Sequence, residues 1–247
     1  MSFGSPDVSR LQIKLFCDGA NFDNIVAMAA NPLIKGFTTN PTLMRKAGVS
    51  DYEAFARKVL AAVPHRPISF EVFADDIDEM EKQARAIARW GANVNVKIPV
   101  TNTKREFTGR LIQRLSRDGI VVNVTAILTL EQVRRVADAL DPNTAAIVSV
   151  FAGRIADTGV DPVPLMAEAL NILSGRPKAE LLWASPRELL NIFQADAVGC
   201  HIITATSDIF DKLKLVGRDL GDYSLDTVTM FYRDAAAAGY SIREKVA

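Results

Sequence analysis

The chain has 247 residues, 49% of them hydrophobic and 23% charged, with 29 lysines and arginines against 29 aspartates and glutamates. That length suits one α/β barrel, and that composition can bury a full core, which excludes a disordered chain. Balanced charge argues against a general nucleic-acid surface, which needs a basic excess, but leaves room for a local anion site.

Taken in chain order, residues 1–10 lack a basic stretch followed by an apolar core, so no signal peptide is expected. Short β-branched or apolar runs then alternate with longer segments of helical period. The predicted strands are Gln12–Cys17, Ile34–Thr38, Ile68–Val72, Asn93–Ile98, Ile120–Val124, Ala146–Val150, Glu180–Trp183 and His201–Thr204. Between them, Ile77–Trp90 places Met80, Ala84, Ile87 and Ala88 on one helical face and Glu79, Glu81, Lys82 and Arg85 on the other. Ser50, Asp51, Asp75 and Thr129 are candidate N-caps, because their side-chain oxygens can accept orphan backbone N–H groups. Beyond the eighth strand, Ser207–Val216 reads as a helix. Leu225–Ala238 reads as a further one, whose Val228, Met230 and Phe231 suggest packing on a neighbour such as another subunit.

Eight strand–helix units without a linker predict a single (β/α)8 barrel over residues 1–247 with an added C-terminal helix, its main rival being an open doubly wound sheet. No apolar run approaches membrane-spanning length. Cys17 and Cys200 lie in apolar stretches without CxxC or metal-ligand spacing, which fits a reduced, cytoplasmic setting.

In a barrel, side chains near the strand C-termini face the catalytic mouth. The positions there are Asp18; Thr39 and Asn40; Glu71; Lys97; Asn123 and Thr125; Ser149 and Arg154; and Ser185 and Arg187. Lys97 stands out in Val94-Asn95-Val96-Lys97-Ile98-Pro99, an amine amid β-branched neighbours. It could snorkel to solvent. Held inside, burial penalises the ammonium, and the neutral amine is a nucleophile toward a carbonyl carbon. Asp18, before Gly19, could be a turn residue, whereas Glu71 between Phe70 and Val72 needs water or a partner. Two carboxylates near one amine can move protons through a shared water, which the Thr125 hydroxyl can hold. Arg154 and Arg187, with serines on neighbouring strand ends, suit a phosphate, although either could be a surface ion-pair partner.

His65, in a proline-flanked loop, and His201, at the start of the last strand, sit at the wrong end for catalysis. Metal-dependent aldol chemistry would be expected to use several histidines, and no Ser-His-Asp or Cys-His set is available. No GxGxxG turn or P-loop is present, so neither metal nor organic cofactor is expected.

Phe16-Cys17-Asp18, Gly36-Phe37-Thr38-Thr39-Asn40-Pro41-Thr42-Leu43, Val96-Lys97-Ile98-Pro99, Asn123-Val124-Thr125 and Ser149-Val150-Phe151-Ala152-Gly153-Arg154-Ile155 resemble the transaldolase family, in particular its short branch with the fructose-6-phosphate aldolases. The resemblance implies class I Schiff-base chemistry on Lys97. Asp18 is the implied acid and base at the substrate hydroxyl, and Glu71 and Thr125 the pair that positions water. It further implies that Asn40 and Asn123 bind substrate hydroxyls, that Ser149 lies near the dihydroxyacetone unit, and that Arg154, Ser185 and Arg187 hold phosphate. Glu71, Asn123 and Phe151 are transaldolase-like where the short aldolases carry Gln in place of Glu71 and Tyr in place of Phe151. Transfer to an aldose is therefore expected over simple fructose-6-phosphate aldolase-type cleavage. Pro186 replaces a usual aromatic residue, which leaves open an unusual sugar. The implied partners are small sugar phosphates and further copies of the chain, with neither nucleic acid nor membrane.

Overall fold

The computed structural model describes residues 6–242. Eight parallel strands close in sequence order: β1 Lys14–Asp18, β2 Ile34–Thr38, β3 Ile68–Glu71, β4 Val94–Pro99, β5 Val122–Ile127, β6 Ala146–Val150, β7 Ala179–Trp183 and β8 Ile202–Ala205, which returns to β1. Closure removes both free edges and decides against the open sheet.

Helices follow each strand. They are α1 Phe22–Ala29 after β1, α2 Pro41–Lys46 and α3 Tyr52–Ala62 after β2, α4 Ile77–Ala88 after β3, α5 Gly109–Arg117 after β4 and α6 Leu130–Ala139 after β5. Then come α7 Ala152–Ala156 and α8 Pro162–Leu173 after β6, α9 Leu190–Val198 after β7 and α10 Ser207–Phe210 after β8. The described residues divide into two compact units, 11–211 and a second made of 6–10 with 212–242. The first is the barrel. The second contains α11, Leu220–Ala237, which begins five residues earlier than the sequence suggests because Asp219 caps Gly221 and Asp222. The expected helix Ser207–Val216 is instead α10 followed by a 3-10 turn over Asp211–Leu215.

The barrel interior is filled by Phe16, Ile147, Leu182 and Ile202, all buried and packed together. Gly36 admits Phe16, since a Cβ there would lie 2.5 Å from the ring. Phe37, Phe70 and Trp183, on the outward side of their strands, are fully buried, as are Leu111, Ile112 and Leu115 of α5. On α4 the predicted apolar face holds, with Met80, Ala84 and Ile87 buried. Its cap is Asp76 rather than Asp75, because Thr103 draws the Asp75 carboxylate with its N–H at 2.8 Å and its hydroxyl at 2.7 Å. Asp51 caps α3, whereas Ser50 stands outside it, and Thr129 closes a capping box with Gln132 on α6.

Candidate active site

A cavity of about 620 Å³ opens at the C-terminal ends of the strands. Every candidate residue except Thr39 lines it: Asp18, Asn40, Glu71, Lys97, Asn123 and Thr125, then Ser149, Phe151, Arg154, Ser185 and Arg187. A larger groove of about 770 Å³ runs outside the barrel past Phe107, Arg110 and Arg135 and holds none of them.

Lys97 is buried, with its inward direction set by the alternation of β4. Its Nζ donates to the Thr39 carbonyl at 2.8 Å and lies 3.0 Å from Glu71 Oε2. Glu71 is the direct register partner of Lys97 across the β3–β4 ladder, which is why the two side chains meet. The carboxylate thus touches the amine itself. Thr125 Oγ1 is buried without a protein partner and belongs to a side chain lining the same cavity, so it is available to a ligand or water.

Asp18 sits across the mouth at the end of β1. Thr38, its register partner on β2, donates its hydroxyl proton to Asp18 Oδ1 at 2.7 Å, so the 2.5 Å contact between the Thr38 and Thr204 hydroxyls must be donated by Thr204. Burial pushes the Asp18 carboxyl above its ordinary value. The Lys97 charge and the Thr38 hydrogen bond pull it partly back, and the Glu71 charge raises it.

Asn123 and Ser149 are both buried. The Asn123 amide donates to Ser69 Oγ at 3.0 Å, and the Ser149 hydroxyl donates to Asn123 Oδ1 at 2.6 Å. Asn40 caps α2 by accepting the Leu43 N–H at 3.0 Å. At the anion flank, Arg154 reaches over Phe151, 5.4 Å from the ring centre. Arg187 Nε donates to Asp157 Oδ1 at 2.8 Å, with a second bond from Nη2 to Oδ2. This guanidinium holds the Asp157 carboxyl below its ordinary range. Ser185, before Pro186, has a left-handed backbone (φ 58°). Its carbonyl lies against Gly153, where a Cβ would approach to 1.5 Å.

The structure differs from the sequence reading at Thr39. Its hydroxyl donates to the Ser69 carbonyl at 2.9 Å, away from the cavity, and Thr38 faces the mouth instead. Thr38, Thr204, Thr42 and Lys46 line the same cavity, with Ser69 and Tyr52 bonded to residues of the site, and none of the six is among the candidate positions named from the sequence. For Thr38 the period-2 alternation of β2 was the available signal. His65 is exposed, while His201 Nδ1 accepts the Leu181 N–H at 2.9 Å. Both cysteines are free and buried, and burial pushes each thiol up to about 12. Among the described residues no group of three or more His, Cys, Asp or Glu could hold a metal ion, and no helix is long and apolar enough to cross a membrane.

A closed parallel barrel with an amine between acceptors at its mouth places the chain among (β/α)8-barrel enzymes. The model of the family Transaldolase/Fructose-6-phosphate aldolase matches residues 15–244. The chain belongs to that family. It is 36% identical over 193 residues to a "Probable transaldolase" of Dehalococcoides mccartyi, covering 78% of this chain and 86% of the relative. To "Probable transaldolase 2" of Listeria monocytogenes it is 34% identical over 202 residues, 81% of this chain and 88% of the relative. Among solved structures, 3-keto-L-gulonate-6-phosphate decarboxylase from Vibrio cholerae superposes with a TM-score of 0.54 at 13% identity, over 80% of this chain and 88% of the other. A 2,3-dimethylmalate lyase gives 0.55 at 12% identity, over 97% and 88%. These two likenesses speak to the fold alone.

Proposed function

We propose that the protein transfers a three-carbon dihydroxyacetone unit from a phosphorylated ketose to an aldose through a Schiff base on Lys97. The observation that carries this reading is the buried Nζ, held by the Thr39 carbonyl and the Glu71 carboxylate at the closed end of the cavity. The amine, having released a proton to the water beside it, attacks the ketone carbon. That proton and one more from the nitrogen leave with the carbonyl oxygen as water, giving an iminium. Asp18 takes the proton of the C4 hydroxyl as the C3–C4 bond breaks. The electron pair of that bond passes into the iminium, giving an enamine, and the first aldose departs. The enamine then adds to the carbonyl carbon of a second aldose while Asp18 returns the proton to the new alkoxide. Water, positioned by Glu71 and Thr125, hydrolyses the resulting iminium. Asn40 after β2 binds sugar hydroxyls from one side, and Asn123 and Ser149 on neighbouring β5 and β6 bind them along the opposite wall beside Phe151. Arg154, Ser185 and Arg187 take the phosphate.

Borohydride trapping across a panel of ketoses, with peptide mass mapping, tests the reading. An adduct on Lys97 that persists in Glu71→Ala supports it, and an adduct on another lysine or on none overturns it. Release of free dihydroxyacetone without an acceptor aldose would indicate aldol cleavage instead. Pro186 and the Asp157 carboxylate beside Arg187 favour a second reading, an unusual donor sugar, which the same panel decides. The apolar side chains exposed along α11, among them Leu225, Val228 and Phe231, support a homo-oligomer, checked by light scattering, while the free Cys17 and Cys200 fit a cytoplasmic setting.

A further inference from the structure

The ladder between β2 and β3 stops early, and the way it stops bears on Lys97. Register pairs are Phe37↔Ile68 and Thr38↔Ser69, and the Thr39 N–H still donates to the Ser69 carbonyl at 3.1 Å. In a parallel ladder the next rung would send the Glu71 N–H to the Thr39 carbonyl and bring the N–H of residue 41 to the Glu71 carbonyl. Neither bond is made. Residue 41 is proline and has no N–H, and the Thr39 carbonyl holds Lys97 Nζ. Both Glu71 groups turn to the Tyr52 hydroxyl. It accepts the Glu71 N–H at 2.8 Å and donates to the Glu71 carbonyl at 2.9 Å.

We infer that Tyr52 is a positioning residue for the Lys97 amine: its hydroxyl fills the missing β2–β3 rung, which keeps the Thr39 carbonyl for Nζ and fixes the backbone from which the Glu71 carboxylate reaches the same nitrogen. The inference rests on the Schiff-base reading for its catalytic meaning. Tyr52 opens α3 directly after the Asp51 cap, so the turn that starts the helix also aims the ring. Phe70, Phe73 and Trp90 hold that ring edge-on, with centroids at 6.2, 5.7 and 5.5 Å. Burial pushes the phenol upward, so the proton given to the Glu71 carbonyl is retained at working pH.

Tyr52→Phe tests this, because it keeps the ring contacts and removes one oxygen. Without the hydroxyl, the Glu71 N–H closes on the Thr39 carbonyl and competes with Nζ. Lys97 in the full chain is labelled with formaldehyde and borohydride and compared with exposed lysines of the same molecule. Its relative rate should rise about two- to tenfold, the worth of one hydrogen bond. With the ketose trapped by the unaltered protein, the trapping rate and kcat of Tyr52→Phe should fall roughly tenfold while KM changes little. Val59→Ala, buried on the same helix, should lower the melting midpoint and leave labelling and kcat unchanged. Unaltered Lys97 labelling in Tyr52→Phe, whatever its melting midpoint, overturns the inference. Labelling needs no sugar, so failure of every ketose to trap would count against the proposed function while this comparison still decides Tyr52.

Discussion

Replacing Gly153 by alanine would place a methyl group at the closest approach in the cavity wall. The new Cβ would stand 1.5 Å from the Ser185 carbonyl oxygen and 2.6 Å from its carbon, and both are backbone atoms with no rotamer to change. Carbon and oxygen at rest need about 3.3 Å, so the segments after β6 and β7 must part by about 1.8 Å. Gly153 lies in α7 without a positive φ, so the obstacle is space alone. Such overpacking costs about 1–3 kcal/mol, and the Gly153 N–H bond to the Ala184 carbonyl, 3.2 Å long, is lost with it at about 1 kcal/mol more. At 2–4 °C per kcal/mol for a chain this size, the melting midpoint should fall by about 5–15 °C. Ser185 and Arg187 move away from Arg154, and a displacement beyond about 1 Å should cost about a hundredfold in kcat/KM with a phosphorylated ketose. An unphosphorylated analogue should lose less. Thermal unfolding and steady-state kinetics on both donors check this. Unchanged values for the alanine variant would refute the claim that the two segments must touch.

Lys97→Met, close in shape and without the amine, should abolish borohydride trapping while the chain still folds, as followed by mass spectrometry and circular dichroism. Asp18→Asn should abolish turnover and, by denaturant titration, stabilise the chain more at pH 8 than at pH 4. Because the folded carboxyl titrates above its unfolded value, its contribution to stability is full below that value and is lost as pH rises through the folded one. Cys17 and Cys200, both buried with thiols pushed up to about 12, should resist iodoacetamide in the folded chain at pH 8 and react after denaturation.

Strand positions were legible because inward and outward residues alternate in apolar runs, and β2 and β6 match residue for residue. Strand ends were not, because distant groups set them. β1 starts at Lys14 rather than Gln12 since Asp196 takes the Gln12 and Ile13 N–H groups at 2.8 and 2.9 Å. Asp18, Glu71 and Lys97 could be found as costly polar residues at strand ends. Thr38, Thr204 and Ser69 resemble any strand threonine or serine until register sets Thr38 beside Asp18 and barrel closure turns Ser69 of β3 inward to Asn123 of β5. Tyr52 opens a helix, and its partner lies nineteen residues on in a strand. Local pattern carries no trace of that meeting. Thr39 was named for its place just after β2, and that place alone does not say which side chains turn inward.

The string Ser149–Asn123–Ser69 gives that wall a fixed polarity. The Ser149 hydroxyl spends its only proton on Asn123, so toward a sugar it can act solely as a lone-pair base. Asn123 has one N–H committed to Ser69 and its oxygen to Ser149, which leaves a single hydrogen to offer. A hydroxyl seated there must give to the serine and receive from the amide. An epimer that carries its hydroxyl away from that spot forfeits both bonds at once and leaves a serine lone pair and an amide hydrogen unmet.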